Sequence, residues 1–548
     1  MGLSKWFGGV VRDARAKIDI DEHEQSEKLV RHLGLISVVV FTVTQAVGAG
    51  ILTTPGIISA KFAGSWGFLS FLWAGLIVIP PAMCIAFNAS RSAKAGSTGS
   101  YACRYLGQYI GLLMFVDVML ECVGGTAAVA VSQADHIMLL FGVGKNDIGW
   151  WSYWTTTPLV GVQWLSLGIA LVGGGIGIWL ASTGWRGMTA KATAGVKASN
   201  RLLKGAMFAG GAACMIAAVA AGVSFVLTLP SVNLLSVMVI ALITVVLLRG
   251  IKETAALTNF FTGLKMLVLA VICVILGLHF EWANILRPIP ENLPGTLAGA
   301  SGAFFAYVGL DLATTSAGET KNPQRNVPLG MLLGAVVVMM LYVLASFCLN
   351  GAVPYEQLAT GDHQSAPFAK ALIILGYSSA ATWIAIGSAL AMVSVVLASA
   401  YSTTRLLFNI SQHRLLPSWF EQVNSRGVPV VATLTVGGVI ALLTALLDVE
   451  ELMHLTNIGT MTAFITVSAI VLVNVARETN WRSRQALKGA GWIIVALLGI
   501  IGPARLMIEL PLEAFIRLIV VWTLVTFVFV FYSRHRSLAR VQTPKTGE

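Results

Sequence analysis

Apolar residues in this chain come in long runs, separated by short polar stretches that are mostly basic. A helix crossing ~30 Å of hydrocarbon needs about 20 apolar residues. Fourteen runs qualify as candidate spans, at roughly 34–60, 66–89, 110–136, 160–182, 205–229, 233–249, 255–279, 296–319, 329–350, 381–406, 429–447, 456–476, 489–504 and 511–532. Two of them are interrupted. The first carries Gln45-Ala-Val-Gly-Ala-Gly-Ile51, with Pro55 and Gly56 close behind; the run at 296–319 carries Gly309 and Asp311. Glycine weakens a helix by about 1 kcal/mol and proline removes a backbone donor. Backbone freed inside lipid is tolerated only where something polar meets it, so such breaks point to a binding cavity. Small-residue packing is the plainer explanation for a single Gly-containing break, and it explains two breaks, each first in its half of the chain, less well.

Composition sets the class. Of 548 residues, 56% are hydrophobic and 11% charged, and the mean hydropathy is +0.79. Soluble domains carry about a quarter charged residues, so the expectation is an all-α polytopic membrane protein. The net charge of +11 does not indicate nucleic-acid binding, because most of the 36 Lys and Arg fall between spans on alternate sides. That is the positive-inside pattern; it predicts tails at 1–33 and 533–548 on the cytoplasmic side of a bacterial inner membrane. No cleavable signal peptide is visible, and Trp6 occupies the position where myristoylation wants Ser or Thr. The six cysteines (84, 103, 122, 214, 273 and 348) lack metal-ligand spacing and read as free thiols. No metal, cofactor or catalytic constellation is evident, so an enzyme is not expected.

Three stretches fall outside the simple pattern. Residues 350–380 read as an outer loop, with Ala366-Pro-Phe-Ala-Lys-Ala-Leu-Ile as a short helix across the outer mouth. The runs 160–182 and 205–229, joined by the basic loop Thr183 to Lys204, read as an inserted helical hairpin, or else as one re-entrant region. Such a hairpin offers a surface for an accessory membrane partner. Oligomeric state is left open.

Ionisable residues inside spans are costly and so are functional candidates. If its span starts near Thr254, Lys265 lies ~16 Å deep, too far for easy snorkelling. It is a candidate to take up and release a proton during a cycle; permanent pairing with carbonyls or a carboxylate is the alternative. Asp117 and Glu121, four residues apart, share a helix face, beside a Gly124-Gly125 pair that permits close helix approach. Glu121, ~18 Å into its span, would meet a cationic substrate or Lys265, or else hydrogen-bond a backbone break. Asp135 and His136 are expected in solvent at the outer end, and Arg517 is expected to snorkel outward.

With these residues placed, the chain resembles the amino acid–polyamine–organocation superfamily, and within it the cationic amino acid transporter branch. Gly48-Ala-Gly-Ile51 is similar to the first-helix break. Asp117-Val-Met-Leu-Glu-Cys-Val-Gly-Gly-Thr126, Arg249-Gly-Ile-Lys-Glu253, and Phe304 to Pro323 ending Gly-Glu-Thr-Lys-Asn-Pro resemble branch motifs, as do Arg405 to Pro417 and Ile458-Gly-Thr460. The likeness runs over about 33–535, the hairpin excepted.

The resemblance implies a LeuT-like fold of two inverted five-helix repeats, 34–279 (with the hairpin at 160–229) and 296–476, followed by two C-terminal helices at 489–532. It implies proton-coupled amino acid transport by alternating access, with cationic or broad L-amino acids as substrates; an amino acid/polyamine exchanger, or a non-transporting membrane receptor or scaffold with the same fold, is the alternative. Amides at Gly48, Ala49, Gly50 and Ile51 would receive the substrate carboxylate. Carbonyls near Phe305 and Ala306, within the Phe304–Tyr307 stretch, would take the α-amino group, with Asp311 close by. Glu121 would border the side-chain pocket, and Lys265 would stand where sodium sits in sodium-coupled relatives. Departures are Gly318 for the first acid of an E-E pair, Cys122 for Tyr, and His413 for an acidic loop residue.

Overall fold

A computed structural model describes residues 34–91, 98–140, 233–249, 251–287, 292–310, 314, 320–359, 366–412, 414–424, 427–478 and 485–534. The inserted hairpin, Asp311, Gly318 and His413 lie outside these residues.

Helices build the described chain throughout. Seven of them are long and apolar enough to cross a membrane, and several shorter apolar helices accompany them. The first segment is divided into α1 (Leu35–Ala46), α2 (Ala49–Leu52) and α3 (Thr54–Ile58), and ends in a wide turn at Ser59–Ala63. Then come α4 (Gly67–Arg91), a short amphipathic α5 (Thr98–Tyr105) and the long α6 (Gln108–Leu140). After the insertion follow α7 (Leu234–Arg249), α8 (Ile251–Leu278) and the short α9 (Trp282–Ile285). The sixth segment is α10 (Asn292–Ala303) running into a tight 3₁₀ turn, Phe304–Tyr307. Beyond it lie α11 (Pro323–Ala352), the short α12 (Tyr355–Ala359) and α13 (Pro367–Ile374), α14 (Ser378–Gln412), α15 (Val430–Leu446) and α16 (Val449–Glu478). The chain finishes with α17 (Gln485–Met507) and α18 (Leu512–Val528). The expected short helix of the outer loop is α13.

Among the described segments, helix packing repeats itself at an interval of five. α4 packs on α11, α6 on α14 and α7 on α15, each a segment against the one five places later. The off-diagonal contacts match as well. α1 against α11 has its counterpart in α10 against α4, and α8 against α14 in α16 against α6. α17 and α18 pack outside, against α16.

Glycines set the closest approaches. A Cβ at Gly124 would come within 2.6 Å of the Thr456 hydroxyl, and one at Gly459 within 2.8 Å of the Asp117 carbonyl, so α6 and α16 touch backbone to backbone. Asp117 is fully buried at that seam. It accepts hydrogen bonds from Trp522 Nε1 on α18 at 2.8 Å and from Thr462 Oγ1 on α16 at 3.0 Å, and so ties three helices together.

Two expectations are corrected. Asp135 and His136 are 4% and 2% exposed, not in solvent, and His136 Nδ1 lies 2.9 Å from the Ser132 carbonyl one turn back. Arg517 does not snorkel. It is 5% exposed and donates to Glu451 Oε1 at 2.6 Å and to the Glu451 carbonyl at 3.2 Å. Burying a guanidinium requires such a partner, and α16 supplies it.

Candidate substrate site

The first break falls at Val47 and Gly48. α1 stops at Ala46; Val47 is extended (φ −72°, ψ 104°), Gly48 is more extended still (φ −155°, ψ −142°), and α2 starts at Ala49. The Gly48 carbonyl accepts from Ile51 and Leu52 N–H at 3.3 Å. That leaves the Ala49 and Gly50 amides, at the very start of the new helix, with no preceding turn to bond to. Pro55 does not end the segment. It sits in the first turn of α3, where a missing donor is harmless.

The second break follows α10. Phe304–Tyr307 tightens to 3₁₀ geometry, Val308 is extended, and Gly309 has φ +92°. That left-handed value favours glycine.

The two breaks touch. A Cβ at Gly50 would fall 2.4 Å from Ala306 Cα, closer than atoms can pack, so only glycine allows the approach. Ala49, Gly50, Ile51, Phe304, Phe305, Ala306 and Tyr307 are all buried. The site is closed in this structure, with the breaks packed on each other.

Each break is met by a charged side chain from another helix. Lys265 on α8, 2% exposed, donates to the Thr44 carbonyl in the last turn of α1. Among the described residues it pairs with no carboxylate. The C-terminal end of a helix carries partial negative charge, which a cation complements. Tyr342 Oη on α11 donates to the Ala46 carbonyl in the same turn at 2.7 Å. At the other break, Glu121 Oε1 on α6, 1% exposed, accepts the Gly309 N–H at 3.2 Å. Glu121 thus meets a backbone break rather than Lys265, and Asp117, on the same face, serves the helix seam instead. Asp311 lies outside the described residues.

Tyr342 is the functional candidate that a search for interruptions and charges misses. Its ring packs edge-on against Tyr307 at 5.3 Å and against Phe71 at 6.0 Å, and the Tyr307 hydroxyl donates to the Phe71 carbonyl at 2.7 Å. The available signal was its place in a polar row, Tyr342, Ser346 and Asn350, at helical spacing within an apolar run.

Comparison with known proteins completes the picture. The model of the amino acid permease family matches residues 33–537. The chain belongs to that family. Within the superfamily it stands with the cationic amino acid transporter-like branch. It is 27% identical over 521 residues to a methylthioribose transporter of Bacillus subtilis, covering 95% of this chain and 97% of that one. It is 27% identical over 532 residues to the branched-chain amino acid permease BcaP of the same organism, at 97% and 99% coverage. It is also 28% identical over 451 residues to the chloroplastic cationic amino acid transporter 9 of Arabidopsis thaliana, at 81% and 67%. The permease is a multi-pass membrane protein.

Proposed function

We propose that this permease carries L-amino acids, cationic or broad in range, across the bacterial inner membrane by alternating access, driven by protons. The reading rests above all on the contact between the two breaks, Gly50 against Ala306, which places free amides and a 3₁₀ turn side by side inside the bundle. Of the four expected amides, those at Gly48, Ala49 and Gly50 suit a carboxylate, since the start of a helix attracts anions; Ile51 N–H would have to share itself with the Gly48 carbonyl. Carbonyls near Phe305 and Ala306 suit an ammonium. Glu121, reaching the break from α6, suits a cationic side chain. The five-segment periodicity of the packing supports two inverted repeats, here with two further helices and the inserted run. The distribution of Lys and Arg supports cytoplasmic termini.

Lys265 is the coupling residue in this reading. Its amine holds the carbonyl end of α1, and gain or loss of one proton there changes how strongly that end is held. A tethered ammonium takes the place of a free coupling cation, which favours protons over sodium as the driving ion.

The test is uptake of labelled amino acids into proteoliposomes with and without a pH gradient, followed by a competition panel of the twenty amino acids. Uptake should rise with the gradient and Lys265→Met should abolish that rise; equal uptake in both conditions removes the coupling claim. A second reading, a carrier of another small polar solute, is favoured by the match to the methylthioribose transporter. Competition by methylthioribose, with none by any amino acid, would select it.

A further inference from the structure

The seventh segment carries a polar row of which the substrate site uses only Tyr342. Tyr342, Ser346 and Asn350 lie four residues apart on α11 and share one face. Both ends of the row are tied to the first segment. Tyr342 Oη donates to the Ala46 carbonyl, and Ser59 Oγ donates to Asn350 Oδ1 at 2.8 Å. The two segments therefore run alongside each other, with Ser346 between the ties on α11, and Thr54 between them in the order of the first segment. Both residues are fully buried, and among the described residues neither hydroxyl has a hydrogen-bond partner; the Asn350 Nδ2 also lacks one. Gly67 borders this group. A Cβ there would come within 2.6 Å of Ser59 Oγ and 3.0 Å of Asn350 Nδ2.

Two unpaired buried polar groups one helical turn apart on α11, with a third on the first segment, are unusual. Ordered water is the ordinary partner of such groups, each water taking two to four of them. The row has a direction. Its Asn350 end is nearest the short helices α12 and α13, both of which touch α3. Its Tyr342 end reaches the turn of α1 whose Thr44 carbonyl Lys265 holds.

We propose that Thr54, Ser346 and Asn350 hold a file of ordered water that carries protons between the α12–α13 end of the bundle and the Lys265 amine. The inference rests on the proton-coupled reading above. Water and hydroxyl groups both donate and accept, so each can pass a proton on while receiving another. The arriving proton adds to the lone pair of a neutral Nζ; on release the file takes it back and Nζ keeps the pair. Among ionisable groups on helices packed against α8, Tyr342 and Cys348 of α11 belong to this stretch. Arg249 of α7, Arg325 of α11, and Tyr401 and Arg405 of α14 lie toward the opposite ends of their helices.

The experiment compares the full-length protein with Ser346→Val, Ser346→Thr and Asn350→Leu in proteoliposomes, measuring both pH-gradient-driven uptake and substrate counterflow. Counterflow moves no net proton, so it reports folding, substrate binding and reorientation of the loaded carrier without net proton transfer. Ser346→Val and Asn350→Leu should lower gradient-driven uptake by about tenfold, as for one hydrogen bond lost from the limiting step, and leave counterflow nearly intact. Ser346→Thr, which keeps the hydroxyl, should keep both. Gradient-driven uptake unchanged in Ser346→Val and Asn350→Leu, or counterflow lost in step with it, overturns the route and leaves the coupling claim standing. An unmodified protein indifferent to the gradient removes the coupling claim and the route together.

Discussion

At the break in the first segment the freed backbone is carbonyl, and an amine and a phenol meet it. At the break in the sixth the freed backbone is amide, and a carboxylate meets it. Neither group belongs to the broken segment; they come from α8, α11 and α6. The difference follows from which side of the interruption each partner reaches. Lys265 and Tyr342 arrive at the end of a helix, where carbonyls are left over, and Glu121 arrives beyond a 3₁₀ turn, at an N–H that no earlier carbonyl takes. These side chains satisfy the outer half of each break; in the proposed reading the halves that face each other at Gly50 and Ala306, the amides that open α2 and the carbonyls of the 3₁₀ turn, are the ones left to a ligand that carries both charges.

The contact itself is the most sensitive point of that comparison. Gly50→Ala places a methyl against the Ala306 backbone, which cannot yield as a flexible side chain does. Overpacking of this kind costs about 1–3 kcal/mol, and the breaks cannot then meet. Uptake should be lost and the melting temperature lowered. Gly302→Ala is the matched control, because its Cβ would meet Ile58 at 3.8 Å and Met453 at 4.0 Å, ordinary contacts. Equal behaviour of the two variants in a thermal-shift and uptake series would separate the site from this contact.

Glu121 and Asp117 sharpen the comparison next. Glu121→Gln keeps an oxygen for the Gly309 N–H, so it should fold, yet it removes the negative charge. Cationic substrates should lose more than neutral ones in the competition panel; an equal loss makes Glu121 a purely structural partner of the break. Glu121→Leu leaves the amide unpaired in the interior, at about 1–3 kcal/mol. Asp117→Asn should alter substrate preference far less than Glu121→Gln, since Asp117 is committed to Trp522 and Thr462.

How much of this was legible in the sequence depends on whether a residue breaks a pattern or completes a contact. Gly48, Gly50 and Gly309 interrupt apolar runs, and Lys265 and Glu121 put charge into them, so all five stood out without neighbours. Asp135, His136 and Arg517 were misplaced because position along a helix gives depth but not which face is covered. Arg517 is buried because Glu451, 66 residues earlier, lies beside it. Tyr342 was passed over because tyrosine reads as apolar within an apolar run, while its single hydroxyl reaches the Ala46 carbonyl. Tyr342→Phe keeps the ring contacts and deletes that bond. It should cost about 1 kcal/mol, visible as a small fall in melting temperature, and a larger fall would make the phenol a principal support of the first break.

The smallest expected effect comes from the far end of the first segment. Lys61, past the last turn of α3, pairs with Glu450 at the start of α16, with side chains 47% and 27% exposed. His454, one turn along α16, stands 4.0 Å from the same carboxylate. Exposed pairs of this kind contribute about 0–1 kcal/mol and weaken with salt. Lys61→Ala should therefore barely change the melting temperature, in contrast to the buried Arg517–Glu451 pair on the same helix, where Arg517→Ala strands a carboxylate. Buried pairs lose about 3–5 kcal/mol when one partner is removed. Both variants, melted at low and high salt, put the contrast to the test. If Lys61→Ala destabilised as much as Arg517→Ala, the end of the first segment would be held by its charge, and the breaks deeper in the bundle would no longer be its main anchor.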